Sequence, residues 1–317
     1  MRVPRRESNE LLVLALYFLG VVLAGSLLAP WLFVGGKNLV ASGTLDLPGL
    51  HWLENALERG DFSRYFNRAV LIAALALLLP VFRCLRTSRQ GGLGLQTNPV
   101  WFPDLLAGFF LSAGFLLLLG GILLRLGYYV PENEPRWERI PPIFVRAPVI
   151  GLLEEWFFRG VILALFLRTL PTLWAVVSTT FLYAVLHFLK PPDSVIAASD
   201  VTWLSGFQQT ARIFHRFVEP VPLLAEFLTL FLIGWVLASA RLRTRSLWLA
   251  IGLHTGWVFG LQIYQALTDR SPALREAAPW LGSNLKTGLV PLGVVLLTGF
   301  FAKFWVQLSR SPQPESP

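Results

Sequence analysis

The sequence predicts an all-α fold: a polytopic membrane helix bundle with about eight transmembrane helices. Three observations carry that prediction. Hydrophobic residues make up 54% of the 317 and charged residues only 15%, with a mean hydropathy of +0.58, which excludes an ordinary soluble domain. Apolar runs of about 20 residues, the length that spans a bilayer, recur along the chain. Basic residues gather beside alternate runs, as they do at the cytoplasmic ends of membrane helices.

Taken in order, the runs are 11–34, 68–85, 103–125, 144–167, 171–189, 222–240, 246–267 and 287–308, the second being the shortest. The first follows Arg2, Arg5 and Arg6; it is too long for a removable signal peptide and lacks a cleavage site, so it reads as a retained helix. One side of the membrane then receives Arg2, Arg5, Arg6, Arg83, Arg86, Arg89, Arg168, Arg241, Arg243, Arg245 and Arg310. The segments 35–67, 126–143, 190–221 and 268–286 carry mixed charge, which predicts cytoplasmic termini. Trp31, Trp101 and Trp248 stand near run ends as interfacial anchors, whereas Trp156 and Trp257 lie too deep for that role.

Proline-rich stretches, Pro131–Pro142 and Pro191–Pro220, mark outer loops too short to bury a core, so 1–317 reads as a single membrane domain. Within the second, Ser199–Phe217 mixes Trp203, Phe207, Ile213 and Phe217 with Arg212 and Arg216, the pattern of a short amphipathic helix lying on the membrane over the site. The polar tail 309–317 is expected to be disordered. The one cysteine, Cys84, excludes a disulfide within the chain and reads as a small buried hydrophobe. The net charge of +8 sits beside the apolar runs, where anionic lipid accounts for it; no nucleic-acid partner is expected.

Against this apolar background, Glu154, Glu155 and Arg159 stand near the middle of the fourth run. Each charge costs about 2.5–3.5 kcal/mol at a helix centre, so three together mark a functional site. Glu155 and Arg159 are an i, i+4 pair in the favourable order and can neutralise each other. Glu154 points elsewhere, free to face a cavity. His187 and His254 add one imidazole each from the fifth and seventh runs. Gly252, Gly256 and Gly260 repeat every fourth residue as a seam for a close helix neighbour, and His254 lies roughly opposite them. The bland reading has Gly256 merely avoiding a clash, with nothing implied for His254.

A carboxylate and two imidazoles on three helices can hold and deprotonate a water and stabilise the oxyanion formed at a carbonyl. The same side chains, Glu154, His187 and His254, could instead ligate a divalent metal such as zinc. No paired-ligand spacing on one helix supports that version, so no cofactor is required on the preferred reading.

At these residues the chain resembles the CPBP family of intramembrane proteases, the CAAX prenyl endopeptidase and bacteriocin-processing group, also called the ABI family. The family pattern is EExxxR, then an aromatic residue four before a histidine, then HxxxN. Glu154, Glu155 and Arg159 match the first part; Tyr183 and His187 match the second with Tyr for the usual Phe; His254 matches the third, but Val258 stands where the family often has Asn. The resemblance covers about 144–260. It implies an eight-helix membrane fold in which Glu154 and His187 activate water, Glu155 and Arg159 support the site, and His254 holds the oxyanion. It also implies a peptide or protein substrate that is membrane-associated or lipidated. The short loops and N-terminal arginines suggest a bacterial inner membrane protein. Two other readings compete: a catalytically weak or inactive scaffold or immunity protein, motivated by Val258, and a proton-coupled transporter, since buried carboxylates and histidines also form proton relays.

Overall fold

The computed structural model describes residues 7–45, 50–85, 95, 98–135, 137–188, 196–213, 220–277, 280–282 and 284–310. Arg2, Arg5, Arg6, Arg86, Arg89, Arg216, Phe217 and the tail beyond Arg310 lie outside them, as do the side chains of Arg83 and Cys84. Along the chain run α1 (Glu7–Ala41), α2 (His51–Glu58), α3 (Phe62–Leu85), α4 (Trp101–Arg125) and α5 (Ile140–Glu155). A π-helical segment, Trp156–Ile162, leads into α6 (Leu163–Thr169) and α7 (Thr172–Phe188). There follow α8 (Ser205–Ala211), α9 (Pro220–Thr244), α10 (Trp248–Leu267), α11 (Ala273–Glu276) and α12 (Leu289–Ser309).

Helices thus stand at all eight positions where the sequence predicts spans. Four segments are long and apolar enough to cross a membrane by length and composition: Leu12–Ala41, Trp101–Arg125, Leu223–Thr244 and Leu289–Ser309. The apolar helix Thr172–His187 is shorter. The run predicted at 144–167 is divided among α5, the π segment and α6, and its charges lower its mean hydropathy.

Two compact units emerge, formed by the described residues of 1–89 with 188–218 and of 90–187 with 219–317. In the first, α1 lies along α3 around Ala29, Phe33, Phe62, Tyr65, Phe66 and Ala69, with Phe33 edge-on to Tyr65 at 5.2 Å. The expected amphipathic segment becomes a 3-10 turn, Ala198–Asp200, followed by the shorter α8, with Trp203 exposed and Ile213 buried. This α8 packs on α1 and α3 through Ser26 Oγ to Thr210 Oγ1 at 2.8 Å and Gln209 Nε2 to Ser63 Oγ at 2.9 Å. Gly206 permits the approach, since a Cβ there would run into the Ser26 carbonyl.

The second unit is built around α10, most of whose side chains are buried. Its glycine seam lies on α4: a Cβ at Gly252 would collide with the Leu105 carbonyl, and one at Gly256 with Phe109 and Ser112. Gly108 returns the favour from α4, where a Cβ would come within 2.6 Å of the Leu249 carbonyl. α5 meets another side of α10 at Gly151, beside Thr255. Arg245, in the left-handed region at φ 53°, turns the chain from α9 into α10 without a glycine.

A two-stranded antiparallel ribbon, β1 (Tyr129–Pro131) with β2 (Thr268–Arg270), ties together segments that the sequence reading leaves as loops. Tyr264 anchors it, donating its hydroxyl hydrogen to the Gly120 carbonyl at 2.9 Å and meeting Tyr129 edge-on. Trp31 is exposed, as an anchor would be, whereas Trp101 and Trp248 face each other at 5.0 Å between ring centroids.

Candidate active site

The π segment begins immediately after Glu155 and contains Arg159, so the wider helical turn falls on the charged stretch itself. Such turns commonly mark functional positions. Glu155 and Arg159 are 0% and 1% exposed and are joined by a 2.8 Å hydrogen bond from Arg159 Nη1 to Glu155 Oε1. The rest of the pair is only partly satisfied, since Glu155 Oε2 and Arg159 Nε are buried without a hydrogen-bond partner. Arg159 Nη2 donates to the Gly234 carbonyl of α9 at 3.2 Å, and its guanidinium lies 4.5 Å over the Tyr183 ring. Gly234 allows that contact, because a Cβ there would sit 2.9 Å from Thr180 Cγ2 and 3.4 Å from Arg159 Nη2.

Both histidines converge on the other carboxylate. His187 Nδ1 lies 2.8 Å from the Tyr183 carbonyl, and its Nε2 lies 3.8 Å from Glu154 Oε2. His254 Nδ1 lies 2.7 Å from Glu155 Oε1, and its Nε2 lies 3.7 Å from the same Glu154 oxygen. A carbonyl and an arginine-paired carboxylate can only accept, so the network assigns the Nδ1 hydrogen to each ring. In a neutral ring each Nε2 then presents its lone pair toward Glu154. Glu154 Oε2 is buried without a hydrogen-bond partner, although the side chain as a whole is 32% exposed and therefore open on one side.

Tyr183 sits among these groups, edge-on to Phe158 at 5.0 Å and 4.3 Å from the His187 ring centroid. Beside it opens a cavity of about 110 Å³ lined by Tyr183, His187, His254, Trp257, Val258 and Lys286 with aliphatic neighbours. Val258 therefore faces the cavity on which the histidines lie. Trp257 lines it too, and its indole Nε1 is buried with no hydrogen-bond partner. Rotation along α10, about 60° from His254, argues against Trp257 on sequence grounds. The indole is long enough to overcome that offset, and the cue was its deep position inside an apolar run. Thr255 turns instead toward Gly151 of α5.

As metal ligands, Glu154, His187 and His254 have suitable chemistry, with each Nδ1 held by a carbonyl or a carboxylate. The two Nε2 atoms lie 3.7 and 3.8 Å from Glu154 Oε2, a few tenths of an ångström more than the separation of about 3.4 Å between ligand atoms in a tetrahedral zinc cage. Among the described residues no cluster of His, Cys, Asp or Glu is arranged to hold an ion.

Fold and geometry together define an α-helical membrane protein with a buried carboxylate–imidazole centre. Residues 136–260, about two fifths of the chain, match the profile of the Rce1-like family, Type II CAAX prenyl endopeptidase Rce1-like, which supports a CPBP family intramembrane protease. The match spans Glu154, Glu155, Arg159, His187, His254 and Val258. No curated protein and no solved structure matches the chain.

Proposed function

We propose that the protein is an intramembrane endopeptidase in which Glu154 and His187 activate water against a peptide carbonyl. The observation that carries this reading is the convergence of two imidazole Nε2 atoms on one unpartnered oxygen, Glu154 Oε2. Separations of 3.7 and 3.8 Å exceed a direct hydrogen bond, so Glu154 Oε2 stays free to accept from a water that also reaches the imidazoles. Glu154 takes one proton from that water as its oxygen attacks the carbonyl carbon, with His187 Nε2 accepting a hydrogen bond from it. The C–N bond then breaks, and the proton held by Glu154 passes to the departing amine.

His254 has a role in the oxyanion only as imidazolium, when Nε2 carries a hydrogen to donate; Glu155, bonded to Nδ1, is the counter-ion of that state. Arg159 fixes Glu155 for this duty. Val258 supplies no donor, and the unpartnered Trp257 Nε1 on the same cavity wall takes that place. The aliphatic cavity beside the histidines receives a substrate side chain. The substrate is a membrane-associated or lipidated peptide or protein.

The deciding experiment is cleavage of a quenched-fluorescent peptide library in liposomes by wild type, Glu154→Ala and His187→Ala, each with and without chelator. Cleavage lost in both variants but resistant to chelator supports the proposal, and chelator-sensitive cleavage replaces it with a metalloprotease. Absence of cleavage by folded wild type favours the inactive scaffold that Val258 suggests. Orientation, with both termini in the cytoplasm of a bacterium, is tested by labelling Phe188→Cys in a Cys84→Ser background; labelling only from the cytoplasm overturns it.

A further inference from the structure

A second cavity, about 280 Å³, lies between α9 and α12, separate from the proposed catalytic residues. On α9 it is lined by Leu232, Trp235, Val236, Ser239 and Ala240, which recur at helical spacing as one face. On α12, Leu296, Gly299 and Phe300 do the same. Arg243, in the last turn of α9, and Lys303, in the C-terminal half of α12, complete the lining. Both cations are exposed, and among the described residues neither has an ion-pair or hydrogen-bond partner. α9 and α12 each contain a segment long and apolar enough to cross a membrane, so the groove between them faces an acyl environment. Arg243 also belongs to the arginine group, with Arg241, Arg245 and Arg310, that the charge pattern assigns to the cytoplasmic side.

We infer that this groove binds one anionic phospholipid, with its phosphate between Arg243 and Lys303 and the upper part of one acyl chain along the aliphatic face. An apolar slot ending in two unneutralised cations complements a molecule with an apolar chain and an anionic head. A zwitterionic lipid fits the slot equally but brings its own cation to the arginine and lysine. The volume lies at the lower end of small-molecule sites, so it accommodates a headgroup and part of a chain, not a whole lipid. Ser239 adds a hydroxyl near the head end.

The test is native mass spectrometry of the full chain released from nanodiscs containing equal dioleoyl-phosphatidylglycerol and dioleoyl-phosphatidylcholine. Wild type is expected to retain one phosphatidylglycerol in preference to phosphatidylcholine. Arg243→Gln or Lys303→Gln should cut that preference roughly fivefold each, and the pair roughly thirtyfold, at about 1 kcal/mol per cation. Ser239→Phe, which fills the slot without altering charge, should lower retention of both lipids. Millimolar inorganic phosphate should not displace the lipid. Equal retention of the two lipids by wild type overturns the inference, as does a preference that survives the double substitution. Undiminished retention in Ser239→Phe also overturns it, because the cations would then be attracting lipid to an open surface. Circular dichroism confirms that the exposed-residue variants remain helical.

Discussion

The second unit holds two buried carboxylate clusters, and they are finished differently. Asp104, fully buried at the start of α4, accepts from Trp305 Nε1 at 2.9 Å and from Arg310 Nη2 at 2.6 Å, so both of its oxygens are satisfied. Glu154 keeps one buried oxygen unpartnered, with two imidazole nitrogens held just beyond hydrogen-bond reach. A charge whose partners are complete fastens α4 to α12. A charge whose partners stop short has its remaining interaction available for something that arrives. Glu155 Oε2 is unpartnered as well, so it is the exposure of the Glu154 side chain, 32% against 0% for Glu155, that leaves Glu154 open to an arriving molecule.

The sharpest way to break this contrast is Glu154→Gln, which preserves shape but removes the proposed base; it should lower kcat by about 100- to 10,000-fold in the liposome cleavage assay while leaving thermal stability nearly unchanged. Next in size is Trp257→Phe, expected to lower kcat by about 100- to 1000-fold with little change in KM. Adding Val258→Asn to that variant should restore much of the loss; a restored rate assigns the missing donor to the oxyanion, and no change in either variant removes Trp257 from the reaction. Glu155→Gln keeps hydrogen-bonding atoms for Arg159 and His254 but deletes their counter-charge, and should cost about 10- to 100-fold in kcat. The smallest catalytic effect belongs to Asp104→Ala: it should destabilise the protein by about 1–3 kcal/mol in a reversible denaturation assay, yet leave the specific activity of the folded fraction intact. If Asp104→Ala instead abolishes turnover in folded protein, the clamp and the reactive group are not separate in function.

Much of the candidate site was readable in the sequence because charges in the middle of an apolar run are conspicuous. Glu155 and Arg159 pair as their spacing requires, and Gly252 and Gly256 place α10 against α4 while His254 reaches α5. Helices stand at each predicted run for the same reason, since an apolar segment of that length has few alternatives. What the sequence reading missed depends on contacts between distant segments. The β1–β2 ribbon pairs residues about 140 positions apart, and neither strand has a local signature at three residues. Asp104 stands in the first turn of α4, and nothing local to it marks the contacts with Trp305 and Arg310 that it receives from the end of α12. Angular spacing alone leaves Trp257 out, because it describes where a Cβ points and not how far an indole extends.

The π segment carries a further implication for length changes in the chain. Residues 156–162 are wound more loosely than the helices on either side, so the stretch holds slack in the form of backbone. Deleting one residue there and tightening the other six to regular winding would leave α6 nearly in phase with α5, but the residues inside the stretch would change their angular positions. The same deletion in an ordinary exposed loop would be absorbed locally. Here it would carry Arg159 away from the Gly234 carbonyl and loosen Glu155 and His254 in sequence, so the wide turn sets the phase of the whole charged centre.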